Sequence, residues 1–359
     1  MDRLNFLYHY NITLPNRVNP HGKTIRGVKP VINETFFEYN FDNALDFLDV
    51  FDVNKSELYQ ENNIPIYTDY IYRGHKDSTW KLKPSIYRRN ENETEEEYTG
   101  RINIYKFGNG NLHGREVSSF VDFIKGMDSL GFDVSNHSFE LININNKINS
   151  LNGTNYKIFE SQSFPKNEQL SELALAQHYG IKTRLLDFTE NPLIAIFFAS
   201  ESAYPFEKIV RHDEKKIGIW VIPKLLIEAI KHVRYIDYVD VKKFQNNYIT
   251  AQNGVFVNYF PAIDDLIIKR INIETSKYVD ITYTLDQLLT ASYNNEYLDK
   301  LIIEHIGKPM LFTLPHDELI PIAKRLNQLN INWVKLMPSL DGVKKEVERQ
   351  KNKPYSNII

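Results

Sequence analysis

Six groups able to bond or titrate, Gln177, His178, Thr183, Arg184, Asp187 and Thr189, fall within about a dozen residues of one another. They lie between two apolar runs, residues 170–176 and 193–199, so each needs a partner or a chemical task. Taken singly, each has a structural explanation. His178 closes a helix and can bond a backbone carbonyl there. Arg184 and Asp187 stand at opposite parities of a short strand and could bridge it to a helix. Thr189 or Asn191 could cap the helix that Pro192 begins. Six such groups packed together between core segments fit the wall of a cleft better than scaffold alone.

A second group is Tyr72-Arg73-Gly74-His75. An arginine ending a strand, followed by a glycine that permits close backbone approach and a histidine at the turn, suits an anion such as phosphate or carboxylate. The alternative is an arginine paired with a structural carboxylate. Gln252 and Gly254 stand just before a further strand, where an amide and a glycine also signal a hairpin or bulge.

Other chemistries lose their signatures. His21-Gly22-Lys23-Thr24 has Arg17 where a phosphate-binding loop needs glycine, and Gly108-Asn109-Gly110 with Gly114 is one residue too long for a dinucleotide fingerprint. H-E-x-x-H and G-x-S-x-G are both absent. There is no cysteine, which excludes disulfides, thiolate catalysis and cysteine-held metals. Metal binding would have to use His and carboxylates, and no metal is predicted.

The elements that must hold these groups follow from periodicity. Residues 41–51 are helical with Asn40 as cap, residues 64–73 form a strand, and residues 117–127 form a helix. Residues 136–167 are Asn-rich and read as a surface insertion. Residues 170–178 form a helix stopped by a left-handed Gly180, residues 181–188 a strand, and residues 192–199 a helix buried on every side. Strands are expected at 217–222, 254–260, 309–314 and 331–337, a helix at 317–329, and a turn at Asp341-Gly342. The whole is a mixed α+β chain. With 359 residues, 25% charged, 42% hydrophobic and a net charge of -3, nothing demands a polyanion partner. No stretch reaches the roughly 20 apolar residues of a membrane span, and the expected location is the cytoplasm.

Together these segments resemble the FRG domain, a bacterial family named for a Phe/Tyr-Arg-Gly motif, here Tyr72-Arg73-Gly74. Trp80, Leu82, Pro84, Ser85 and Arg88 continue that motif, and Glu116 and Phe120 fit the next helix. The longest correspondence is Ala176-Gln177-His178-Tyr179-Gly180 with Thr183-Arg184-Leu185-Leu186-Asp187-Phe188-Thr189, then Asn191-Pro192, Ala195 and Phe198-Ala199. Gln252, Gly254 and Phe256 match a Q-x-G-x-F element, and Pro338, Leu340, Asp341 and Gly342 a P-x-L-D-G element. The resemblance spans roughly residues 35 to 345, leaving an N-terminal arm, 1–34, and a C-terminal tail, 346–359.

The family is similar in outline to ADP-ribosyltransferases, which implies a split sheet with flanking helices and NAD as substrate. In that group an arginine or histidine ends one strand, a hydroxyl residue ends another before an apolar helix, and a glutamate sits on a third. Here Arg73 takes the first place, Thr189 or Thr183 the second, and Gln252 stands nearest the third. The resemblance implies that Arg73, Asp187, Thr189 and Gln252 carry the chemistry. Tyr72, Gly74, His75, Gln177, His178, Thr183 and Arg184 would bind the nucleotide, and the acceptor would be a protein or nucleic acid. A toxin or defence effector is the implied setting. The alternatives are a non-catalytic nucleotide or nucleic-acid sensor or adaptor, and a hydrolase dependent on Mg²⁺ or Mn²⁺.

Overall fold

A computed structural model describes residues 22–61, 64–65, 69–102, 112–150, 164–201, 215–230, 236–243, 246–259, 284–291 and 307–351. The strands are β1 (Val31–Ile32), β2 (Phe37–Asn40), β3 (Tyr70–His75), β4 (Leu185–Thr189), β5 (Lys216–Pro223), β6 (Ile236–Val239), β7 (Gly254–Tyr259) and β8 (Met310–Pro315), with a two-residue pair at Gln60–Glu61 and Ile64–Pro65. The helices are α1 (Ala44–Asp49), α2 (Glu95–Ile102), α3 (Leu112–Ser129), α4 (Asn136–Ser150), α5 (Leu170–His178), α6 (Pro192–Glu201), α7 (Lys224–Ile230), α8 (Asn247–Ala251), α9 (Leu285–Ala291), α10 (Leu319–Gln328), α11 (Trp333–Leu336) and α12 (Leu340–Lys351). The fold is mixed α+β, as its sequence pattern implies.

One eight-stranded sheet runs in the order β1-β2-β8-β5-β3-β4-β7-β6, antiparallel except where β8 lies parallel to β2. β5 reads Lys-Ile-Gly-Ile-Trp-Val-Ile-Pro and is buried along nearly its whole length, the pattern of a central strand covered on both faces. One face carries Tyr70, Tyr72, Ile219, Val221 and Phe312 under α1, α6 and α10. The other carries Ile71, Leu186, Phe188, Trp220 and Ile222 under α7 and α9. α6 is apolar all round because it is enclosed by the sheet, α10 and α11, and burial of that surface is the main term holding this face together.

β3 and β4 are joined at a single register, Tyr72 opposite Thr189, whereas β3 follows β5 from Tyr70 to His75 without interruption. The sheet therefore opens between β3 and β4 beyond Tyr72, and the opening lies beside Arg73.

Several expectations change. Residues 331–337 form not a strand but the short helix α11, because the Asn332 side chain accepts a hydrogen bond from the Lys335 amide and starts a turn where apolar spacing alone was ambiguous. Asp341-Gly342 is not a turn but the first part of α12, where a Cβ on Gly342 would stand 1.9 Å from the Met337 carbonyl oxygen. α12 continues to Lys351, with Glu346 and Arg349 buried beyond residue 345. The Asn-rich stretch begins as helix α4, whose Ser138 and Leu141 are buried, so this part packs into the fold. The strand expected over 181–188 starts only at Leu185. Gly108-Asn109-Gly110 lies outside the described residues, as does His21 of the rejected phosphate-loop match.

Candidate functional site

Arg73 stands where β3 leaves β4. Strand parity places its side chain on the face opposite Asp187, yet the parted strands let the guanidinium pass between them. One Nη1 donates to the Asp187 carbonyl oxygen at 2.5 Å and meets the carboxylate Oδ2 at 2.8 Å. The first contact satisfies a carbonyl that the opened ladder leaves unpaired. Nε donates to His75 Nε2 at 2.9 Å. With Nε2 accepting, the proton on His75 belongs on Nδ1, which lies 3.2 Å from the Trp80 carbonyl oxygen. Two anchors thus fix the guanidinium plane, and Nη2 makes no hydrogen bond among the described residues. The arginine side chain is 11% exposed and that of Asp187 60% exposed.

The electrostatics follow from this geometry. Burial, then the positive charges of Arg73 and Arg88, pushes the His75 pKa down to about 3, so the imidazole is neutral at any physiological pH. For Asp187, crowding by neighbouring protein atoms pushes the carboxyl up. The Arg73 guanidinium more than cancels this, and the net pKa lies below the ordinary value. Asp187 is an accessible carboxylate held ionised.

A short relay orients it. The Gln177 amide nitrogen donates to Asp187 Oδ1 at 3.1 Å, while its oxygen accepts from the Thr183 hydroxyl. Thr183 is fully buried, and its backbone is gripped by Ser85 Oγ, which receives the Thr183 amide at 3.1 Å and donates to the Thr183 carbonyl at 3.2 Å. Gln177 reaches this point because α5 ends at His178 and Gly180, at φ +89°, turns the chain back toward β4.

The structure therefore brings Arg73, His75, Gln177, Thr183 and Asp187 into one cluster. The other candidates sit elsewhere. Tyr72 points into the core, its hydroxyl 2.8 Å from that of Tyr59. Gly74 is required by helix packing, since a Cβ there would lie 1.9 Å from the Ala195 carbonyl oxygen of α6. Arg184 is buried on α3, bonding Glu116 through Nε at 2.8 Å and Nη2 at 2.6 Å. Thr189 donates to the Gln252 carbonyl at 2.7 Å and accepts from the Asn191 amide at 3.1 Å. Asn191 in turn receives the Leu193 amide at 2.9 Å, capping α6. The Gln252 side chain donates to the Leu336 carbonyl at 2.9 Å. His178 lies beside the cluster but stacks on Tyr248, ring centroids 3.9 Å apart.

Two further residues belong to the site. Arg88 acts through its charge on both His75 and Asp187. Trp80, 44% exposed, places its indole 6.0 Å from the His75 ring. Both fall in the stretch after Tyr72-Arg73-Gly74, but no periodic signal separates a residue on the rim of an opening from one packed behind it. A cleft of about 470 Å³ opens elsewhere, between Asn167–Ser171 and Asp237–Lys242, and is not lined by this cluster. Among the described residues no group of three or more His, Asp or Glu side chains could hold a metal ion, and no helix is long and apolar enough to cross a membrane.

Comparison with known proteins bears on the block that supplies Gln177, Thr183 and Asp187. No curated protein and no solved structure matches the chain. Residues 130–208 match the FRG domain, a segment that runs from the end of α3 through α6 and stops short of β3 and Arg73 on one side and of Gln252 on the other. That match covers the relay to Asp187, and over residues 130–208 the chain is similar to the FRG domain.

Proposed function

We propose that the Arg73–Asp187 cluster binds NAD or a related nucleotide and that the protein transfers ADP-ribose from it to a macromolecule, as a toxin or defence effector would. The observation that carries this reading is an exposed carboxylate kept ionised by an arginine 2.8 Å away and oriented by Gln177. In glycosyl transfer the bond from the ribose anomeric carbon to nicotinamide breaks, and the leaving group takes the electron pair. The oxocarbenium-like carbon then forms a bond to the acceptor nucleophile, whose proton passes to solvent. A fixed negative charge beside that carbon is stabilising, and a carboxylate with a lowered pKa suits this task better than proton abstraction. Arg73, through Nη2, and Arg88 supply positive charge for the pyrophosphate. Thr189 and Gln252 then support the site by fixing the start of α6, without touching the ribose.

The test is incubation with NAD labelled in its adenylate part, in cell lysate, following label into protein, DNA and RNA. Transfer falling at least 100-fold in Arg73→Ala and Asp187→Asn variants of unchanged stability supports the reading. Equal transfer by both variants refutes it.

A second reading is favoured by one feature: both carboxylate oxygens of Asp187 are engaged, by Gln177 and Arg73. A phosphate arriving at Arg73 would displace Asp187, and the domain would act as a nucleotide sensor or adaptor. Calorimetric binding of NAD with the dinucleotide intact after long incubation is its signature.

A further inference from the structure

Beside Gln177 the surface carries a connected run of rings. Phe123 of α3 lies 6.1 Å from Tyr179, Tyr179 lies 5.4 Å from His178, and His178 stacks on Tyr248 at 3.9 Å with 25° between the ring planes. Lys345 of α12 borders the run: its charge, after burial, lowers the His178 pKa, and its ammonium sits 4.4 Å over the Trp333 ring. Tyr179 is 65% exposed, although aromatic rings are normally withdrawn from water. The structural explanation of His178, a bond to a backbone carbonyl, is not what is found; its ring is used as a stacking surface.

We propose that this aromatic run is a docking track for single-stranded nucleic acid, placing a nucleotide next to Asp187 as the acceptor. The inference rests on the transfer reading above and names its acceptor class. Tyr179 offers an open ring to an unpaired base, backed by the partly exposed His178–Tyr248 stack, whereas a duplex keeps its bases stacked inside itself. Lys345, with Lys344 beside it on α12, and Arg73 with Arg88 at the other end provide charge for the backbone. The run reaches the cluster directly, because His178 follows Gln177, which holds the Asp187 carboxylate.

The test uses the full chain and fluorescein-labelled oligo(dT) and oligo(U) of about twelve nucleotides, a length that one such track can cover, with a duplex of equal length as control. Anisotropy should show binding to single strands and at least tenfold weaker binding to duplex. Tyr179→Ala should weaken single-strand binding about tenfold, the loss of one stacked base. Lys345→Ala should lower the slope of log affinity against log salt by about 0.7. Both positions lie outside the Arg73 cluster, and unchanged thermal melting shows that the variants fold.

Failure of any single strand to bind, or binding unaltered by both substitutions, overturns the proposal. The labelled NAD assay run in parallel separates the two readings. Oligonucleotide bound through Tyr179 without transfer leaves the track standing and refutes the transferase, whereas label in protein alone with no oligonucleotide binding does the reverse.

Discussion

Arg73 and Asp187 belong by strand parity to opposite faces of the sheet, and they meet because the strands carrying them part company after Tyr72 and Thr189. The guanidinium does two jobs there, closing the backbone at the Asp187 carbonyl and neutralising the carboxylate. Arg73→Lys should therefore not rescue Arg73→Ala, since an ammonium cannot span Asp187 and His75 in one plane. The check is NAD transfer or binding, with both variants expected within about threefold of one another, together with urea denaturation. Because Asp187 is largely exposed, each variant should cost only about 1 kcal/mol of stability.

The His75 imidazole gives the stability a pH signature. Its folded pKa of about 3 lies below the ordinary 6.5, so below pH 6.5 the unfolded chain takes up a proton that the folded chain refuses. Stability from this group is complete above pH 6.5 and is lost progressively as pH falls toward 3. Between pH 7 and pH 5 the loss is about 2 kcal/mol. Unfolding free energies from urea denaturation should fall by that amount more between the two pH values in wild type than in His75→Gln.

Arg184 and Glu116 are both buried and joined by two side-chain contacts, and Glu116 also accepts the Arg184 amide at 2.7 Å. Burial opposes the arginine's charge, but Glu116 more than offsets this and raises its pKa. Glu116→Gln should cost about 3–5 kcal/mol, because it strands a cation in the core. The pair Glu116→Leu with Arg184→Met should recover most of that loss in the same denaturation experiment. Recovery of folding with NAD chemistry intact would also show that Arg184 has no contact with the nucleotide.

Gly74→Ala probes the contact between β3 and α6. A methyl group there meets the Ala195 carbonyl at 1.9 Å and Ala199 Cβ at 3.0 Å, and backbone cannot yield as a flexible side chain would. The expected cost is about 3 kcal/mol or more, read as a fall in melting temperature. A neutral result would show that α6 can slide on the sheet.

Much of this was legible in the sequence. α5 with its Gly180 stop, the all-apolar α6 and the strands at β5, β7 and β8 follow from periods of 3.6 and 2 with marked ends. The residues of the cluster were also visible as a density of polar groups. Their partners were not. Residues 73 and 187, or 184 and 116, meet only through sheet order and helix packing, and nothing local in the sequence told Arg184 from Arg73 as the buried arginine. Thr189 bonds the Gln252 carbonyl and the Asn191 amide at the start of α6, and the Gln252 amide nitrogen bonds the Leu336 carbonyl, contacts that sequence spacing does not show. The strand expected at 331–337 failed because its five apolar residues fit either period, and a single asparagine cap decides between them.

α12 is fastened to the rest of the protein by charge. Arg349 inserts into the interior, bonding Glu201 at 2.5 Å, Glu346 at 2.9 Å and Asn327 at 2.9 Å, while Leu340 on the same helix is 86% exposed. Glu201 is the last residue of α6, the helix that presses on Gly74. Loss of Arg349 would leave the interior Glu201 carboxylate with the Trp333 indole N–H at 3.2 Å in place of a cation, at the end of the helix whose Ala195 and Ala199 face Gly74 on the arginine strand. α12 is in this sense the anchor bolt of the site.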